Sequence, residues 1–161
     1  MDYLWTPWRY RYIAQSGEPA ECIFCAAASP QADDHAMLVV HRARHNYIIL
    51  NRFPYTSGHV MVVPVRHVAT LSDLDRDSLV ELTDLARETE MRLRRVYRPD
   101  GFNLGMNIGK SAGAGITGHI HMHILPRWYG DANFMTVVGE TRVVPEDLDT
   151  TWQRLRSAFA G

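Results

Sequence analysis

Short apolar runs separated by polar clusters fill the first part of the chain, at the spacing of strands and turns. Met37 to Val40 and Tyr47 to Leu50 are β-branched or aromatic runs with Arg42, Arg44, His45 and Asn46 between them, the pattern of a hairpin. Asn51 to Gly58 is rich in turn formers, and His59 to Val65 reads as the next strand, with Pro64 suited to a strand end or edge. From Leu71 to Val96 the period lengthens: Leu79, Leu82, Ala86, Thr89, Leu93 and Val96 step by three or four, one face of a helix. Ser72 or Asp75 caps its start, arginines 92, 94, 95 and 98 favour its end, and Pro99-Asp100-Gly101 stops it. Phe102 to Ile108 then predicts a strand, Gly109 to Gly118 a glycine-rich loop, and His119 to Leu125 a strictly alternating strand. A short apolar run near Phe134 to Val138 and a C-terminal helix from about Pro145 to residue 160 complete the order. Strands, a long helix, two more strands and a final helix predict an α+β domain with helices on one face of an antiparallel sheet.

Length fits one domain over residues 1–161, preceded by an aromatic arm at about residues 1–20. Trp5, Trp8, Tyr10 and Tyr12 in that arm are expected to pack on the domain or on a second copy. With 17 basic and 18 acidic residues the chain carries a net charge of −1, which argues against nucleic acid or anionic membrane as a bulk partner. Two cysteines are too few for a disulfide framework, and neither a signal-peptide layout nor an apolar run of membrane-spanning length is seen, so a soluble cytoplasmic protein is expected. Eight histidines and a single lysine, Lys110, are the unusual counts.

Side chains two apart on a strand share a face, so His119, His121 and His123 line up at roughly 7 Å intervals while Ile120, Met122 and Ile124 face the helix. Imidazoles so placed can supply a nucleophile, a proton carrier and a metal ligand. The preceding glycines let backbone N–H groups converge on an anion. Lys110-Ser111 does not make a Walker A motif: only three residues separate Gly105 from Gly109, and histidines follow where a helix should begin. Cys22 and Cys25 have the gap of a thiolate pair, shared by metal sites and redox motifs alike, but no βαβ pattern surrounds them. His35, His41 and His45 are expected to be solvated.

His119-Ile-His121-Met-His123-Ile-Leu125 resembles the histidine triad (HIT) motif, and Ser57-Gly58-His59-Val60-Met61-Val62-Val63-Pro64 is similar to that superfamily's upstream strand. Gly101 to Gly109, Ala112 to Ile116, Leu125-Pro-Arg-Trp128, Gly130 to Phe134 and the opening Leu4 to Arg9 most resemble the bacterial diadenosine tetraphosphate phosphorylase branch. The resemblance implies a HIT-like sheet and nucleotidyl transfer at the α-phosphorus of a dinucleoside polyphosphate. His121 would be the nucleophile and His123 the phosphate-binding proton carrier, with His59 and His119 completing the catalytic set. Asn51 would meet the ribose and Phe53 the nucleoside, while Asn107, Gly113, Ala114 and Gly115 would meet phosphate. It further implies a homodimer and a structural zinc on Cys22, Cys25, His67 and His119; two thiolates and two imidazoles suit tetrahedral Zn²⁺. With zinc bound, His119 is a ligand and not a free base. Hydrolytic members carry Gly-Gln-Ser/Thr before the triad; Ala114-Gly115-Ile116 stands here, which favours inorganic phosphate over water as the acceptor. Hydrolysis of dinucleotides, nucleoside phosphoramidates or acyl-adenylates is the alternative reaction, and a nucleotide-binding sensor the non-enzymatic one.

Overall fold

The structure, a computed structural model, describes residues 21–132, 136 and 144–160. The aromatic arm lies outside them, as does the Phe134 to Val138 run apart from Thr136. A short helix α1 (Ile23–Ala28) precedes strands β1 (Val39–Arg42), β2 (Asn46–Leu50) and β3 (Val60–Pro64). The long helix α2 (Arg76–Tyr97), strands β4 (Gly101–Met106) and β5 (Met122–Arg127), and helix α3 (Leu148–Ala160) follow. The five strands form one antiparallel sheet in the order β1-β2-β3-β5-β4. This is the expected α+β fold with the long and C-terminal helices packed on a sheet.

Every residue of β2 and β3 is buried, because both faces of the sheet centre are covered. Ile48, Leu50, Val60, Val62 and Ile124 pack against Leu82, Leu85 and Leu93 of α2 and Leu155 of α3. Tyr47, Ile49, Met61 and Val63 point the other way, onto Phe24 and Ala27 of α1. Each fully buried Leu or Ile contributes about 1.5–3 kcal/mol. Among the described residues this second face is covered by a six-residue helix and loops.

Asp75 caps α2, its carboxylate accepting from the Ser78 amide at 2.8 Å. The buried face of the helix includes Ser78 in place of the expected Leu79, which is exposed. The Ser78 hydroxyl is satisfied inside by donating to Asp75 at 3.0 Å, while the main-chain carbonyl at this position accepts from the Asn46 side chain at 3.0 Å. Helix α3 begins at Leu148 rather than near Pro145, because Asp147 caps it by accepting from Thr150 N–H at 2.8 Å. Its Trp152 and Arg156 donate to the Val39 and Val40 carbonyls, both at 2.9 Å, covering part of the β1 edge. His41 is half-buried against Phe159, with burial lowering its pKa, and His35 pairs with Asp149; neither is simply solvated.

Candidate functional site

His119 to His121 lie ahead of β5, with a bend at His119, and the ladder to β3 begins at Met122, paired with Val62. The alternation survives that change: Phe24 packs against both His119 and His121, at ring separations of 5.4 and 4.8 Å. His121 and His123 have centroids 4.8 Å apart, closer than extended spacing alone gives. Tyr47 holds α1 in place, its hydroxyl donating to the Phe24 carbonyl at 2.8 Å.

The hydrogen bonds fix the proton positions. His121 Nδ1 lies 2.9 Å from the His119 carbonyl, which can only accept, so Nδ1 carries the proton and Nε2 keeps its lone pair. A second chain of bonds gives His123 the opposite tautomer. The Tyr55 amide donates to His59 Nδ1 at 3.2 Å, so the His59 proton sits on Nε2 and is donated to His123 Nδ1 at 2.9 Å. His123 therefore carries its own proton on Nε2. Burial lowers the pKa of His121, and burial with the neighbouring His121 lowers that of His123 to about 4. Both rings are neutral near pH 7, one presenting a lone pair and the other an N–H.

His121 and His123 line a cavity of about 510 Å³. Asn51, Phe53, Asn107, Gly113 and Gly115 line it too, while Ala114 is not among its walls. Gly113 takes a left-handed φ of 86° as it closes the turn after Lys110, a conformation that favours glycine. Met37, Leu38, Ile49 and Ile116 make much of the wall apolar. Phe24, Arg52 and Tyr55 join the site without having stood out in the sequence: no periodicity marks the six-residue α1, and Arg52 and Tyr55 sit in a turn read only as a connection. Arg127 is occupied elsewhere, paired with Asp131 and bonded to Asn103, and Trp128 lies against Tyr97.

His119 is fully buried and does not line the cavity. Its Nε2–H donates to the Pro64 carbonyl at 2.8 Å, which leaves the Nδ1 lone pair facing Cys22 Sγ at 3.4 Å and Cys25 Sγ at 3.7 Å. His67 Nδ1 is 3.1 Å from Cys25 Sγ, and the four donor atoms lie within 4.8 Å of one another. A tetrahedral ion with zinc-like bond lengths needs donors roughly 3.3–3.8 Å apart, so the cluster suits one. Burial, then the hydrogen bond and charge of Cys22, raise the Cys25 pKa, a cost that a bound cation would offset.

A family model described as the HIT domain matches residues 33–129. The chain is 40% identical over 169 aligned positions to the AP-4-A phosphorylase of Mycobacterium tuberculosis, covering 99% of this chain and 85% of that one. Among solved structures, a zinc-bound histidine triad family protein from Mycobacterium smegmatis superposes with a TM-score of 0.69 at 28% identity, covering 87% of this chain and 94% of that one. A hypothetical histidine triad nucleotide-binding protein from Sulfolobus tokodaii gives the same TM-score at 26% identity, covering 86% and 92%. No helix among the described residues is long and apolar enough to cross a membrane.

Proposed function

Because the chain belongs to the HIT family, we propose that it is an enzyme that splits dinucleoside polyphosphates by nucleotidyl transfer, with inorganic phosphate as the acceptor. The observation that carries the reading is the placement of His121 and His123 at one cavity wall, with Nδ1 of the first 2.9 Å from the His119 carbonyl and Nδ1 of the second 2.9 Å from His59 Nε2. The 40% identical relative named AP-4-A phosphorylase supports the substrate class.

His121 Nε2 attacks the α-phosphorus, forming a P–N bond while the bond to the bridging oxygen breaks. For diadenosine tetraphosphate the leaving group is ATP, which departs as an anion, and the neutral His123 donates its Nε2–H as a hydrogen bond to the departing or non-bridging oxygen. The His119 carbonyl accepts from His121 Nδ1–H and stabilises the ring as it gains positive charge, as a buried acceptor does for an imidazolium. A phosphate oxygen then attacks the same phosphorus, the P–N bond breaks, and ADP leaves. Asn107, Gly113 and Gly115 are proposed to hold the phosphoryl oxygens, and Asn51 and Phe53 the nucleoside. Cys22, Cys25, His67 and His119 would hold a structural zinc, which when bound supplies a cross-link between α1, the segment after β3 and the start of the triad. The active unit is proposed to be a homodimer acting in the cytoplasm.

Diadenosine tetraphosphate supplied with and without phosphate tests the reading. ADP and ATP formed only with phosphate support it; AMP formed in water alone assigns hydrolysis instead, and tight nucleotide binding without turnover assigns a sensor. His121→Ala should lower turnover by about a thousandfold or more with the circular-dichroism spectrum retained. Undiminished turnover removes the nucleophile assignment.

A further inference from the structure

His59 and His123 make a pair of imidazoles beside the reacting one: His59 Nε2 lies 2.9 Å from His123 Nδ1, with ring centroids 5.1 Å apart. The Tyr55 ring packs on both. It stands 4.8 Å from the His59 centroid at 44° and 6.3 Å from the His123 centroid at 21°, within the range of aromatic contact. Its amide, 3.2 Å from His59 Nδ1, ties the turn to the same ring. His59 is 1% exposed and Tyr55 48%, so a side chain half open to solvent covers one that solvent does not reach. The Tyr55 side also borders two spaces, the nucleotide cavity and a second cavity of about 500 Å³.

A hydrogen bond between two imidazoles is strongest where water does not compete for its donor and acceptor. The titratable groups that face His123 are His59, His121 and Tyr55, and Arg52 lines the same cavity. Among the described residues no carboxylate pairs with His123. With no counter-charge to favour the imidazolium, burial first and His121 second hold its pKa down at about 4. The protonation state of the pair therefore depends on what keeps water away, and the Tyr55 ring is the half-exposed part of that cover.

We infer that Tyr55 is a positioning residue whose ring keeps water off the His59–His123 pair and holds His123 in the place from which it meets the phosphoryl oxygens. The inference rests on the nucleotidyl-transfer reading proposed above. Tyr55→Ala keeps the main-chain bond to His59 and removes only the ring. It should lower kcat for diadenosine tetraphosphate about tenfold while the Kd for AMP stays within about threefold, and Tyr55→Phe should keep kcat within about twofold of the parent. In an NMR titration the His123 midpoint should rise in Tyr55→Ala from about 4 toward 6.5 and stay low in Tyr55→Phe. A residue that is only a cavity wall would instead raise KM and the AMP Kd, leaving kcat and the His123 midpoint where they were. An undiminished kcat or an unmoved His123 midpoint in Tyr55→Ala would overturn the inference, as would a Tyr55→Phe as impaired as Tyr55→Ala. If the parent turns over no dinucleotide, the activity reading has failed, and the His123 midpoints decide the role of the ring alone. A rise confined to Tyr55→Ala keeps it; equal midpoints remove it.

Discussion

Gly58 should be intolerant of even one methyl group. It immediately precedes His59 and has a φ of +74°, a region where an L side chain costs about 1–2 kcal/mol. A Cβ there would also stand 3.0 Å from Tyr97 Cε2, 3.2 Å from Tyr97 Cδ2 and 3.3 Å from Leu93 Cδ2. Leu93 is fully buried and Tyr97 is tethered by its hydroxyl to Glu146, so neither yields freely, and crowding of this kind costs about 1–3 kcal/mol. Together the two effects amount to about 3 kcal/mol in Gly58→Ala. For a domain of this size that lowers the thermal midpoint by about 6–12 °C, readable by calorimetry. Gly105→Ala is the control: Gly105 has no positive φ and no atom within 4 Å of an added Cβ, so its midpoint should stay within about 2 °C of the parent. Tyr97→Ala isolates the larger part of the crowding, because Gly58→Ala made in that background should lose the Tyr97 contribution and keep the Leu93 contact and the backbone cost. A Gly58→Ala midpoint indistinguishable from that of Gly105→Ala would refute the reasoning.

Three further outcomes are expected. The purified chain should carry about one equivalent of zinc and Cys22→Ser close to none; equal metal content in both would remove Cys22 from the ligand set. Glu81 accepts from the Arg44, His45 and Asn46 amides at 3.2, 2.7 and 2.7 Å, so Glu81→Ala should cost about 3 kcal/mol in urea unfolding, and a midpoint equal to the parent's would show that this clamp on the hairpin contributes nothing. His123 has its pKa lowered from 6.5 to about 4, so the unfolded chain takes up the proton first; the associated stability is full above about pH 6.5 and falls as pH drops toward 4, the loss reaching about 3 kcal/mol at the acid end. Urea midpoints of His123→Asn should therefore decline less steeply with acid than the parent's, and parallel declines would remove His123 from the account.

The sequence carried most of the fold wherever a period was long enough to read. Twenty-two residues of α2 show several turns of one apolar face, on which Leu82, Ala86, Thr89 and Leu93 are buried as expected; Leu85 joins them, and Ser78 is buried in place of Leu79 with its hydroxyl donating to Asp75. Strand ends were less legible. Met37 does not open β1, since Leu38 turns through a φ of 62°, and β5 starts at Met122 because the Pro64 carbonyl is engaged by a histidine ring instead of a ladder partner. Within the site, His121 and His123 were legible from alternation, and Cys22, Cys25, His67 and His119 from the family resemblance alone, since no local pattern links residues up to 97 positions apart. Arg52 was invisible to both routes.

The bond from His121 Nδ1 to the His119 carbonyl belongs to the main chain, whereas the cysteine cluster uses the His119 ring. Any residue placed at 119 brings a carbonyl with it. The proton arrangement of the His121 ring is thus set by chain geometry and does not depend on which side chain stands at 119, the position whose ring the cysteine cluster uses.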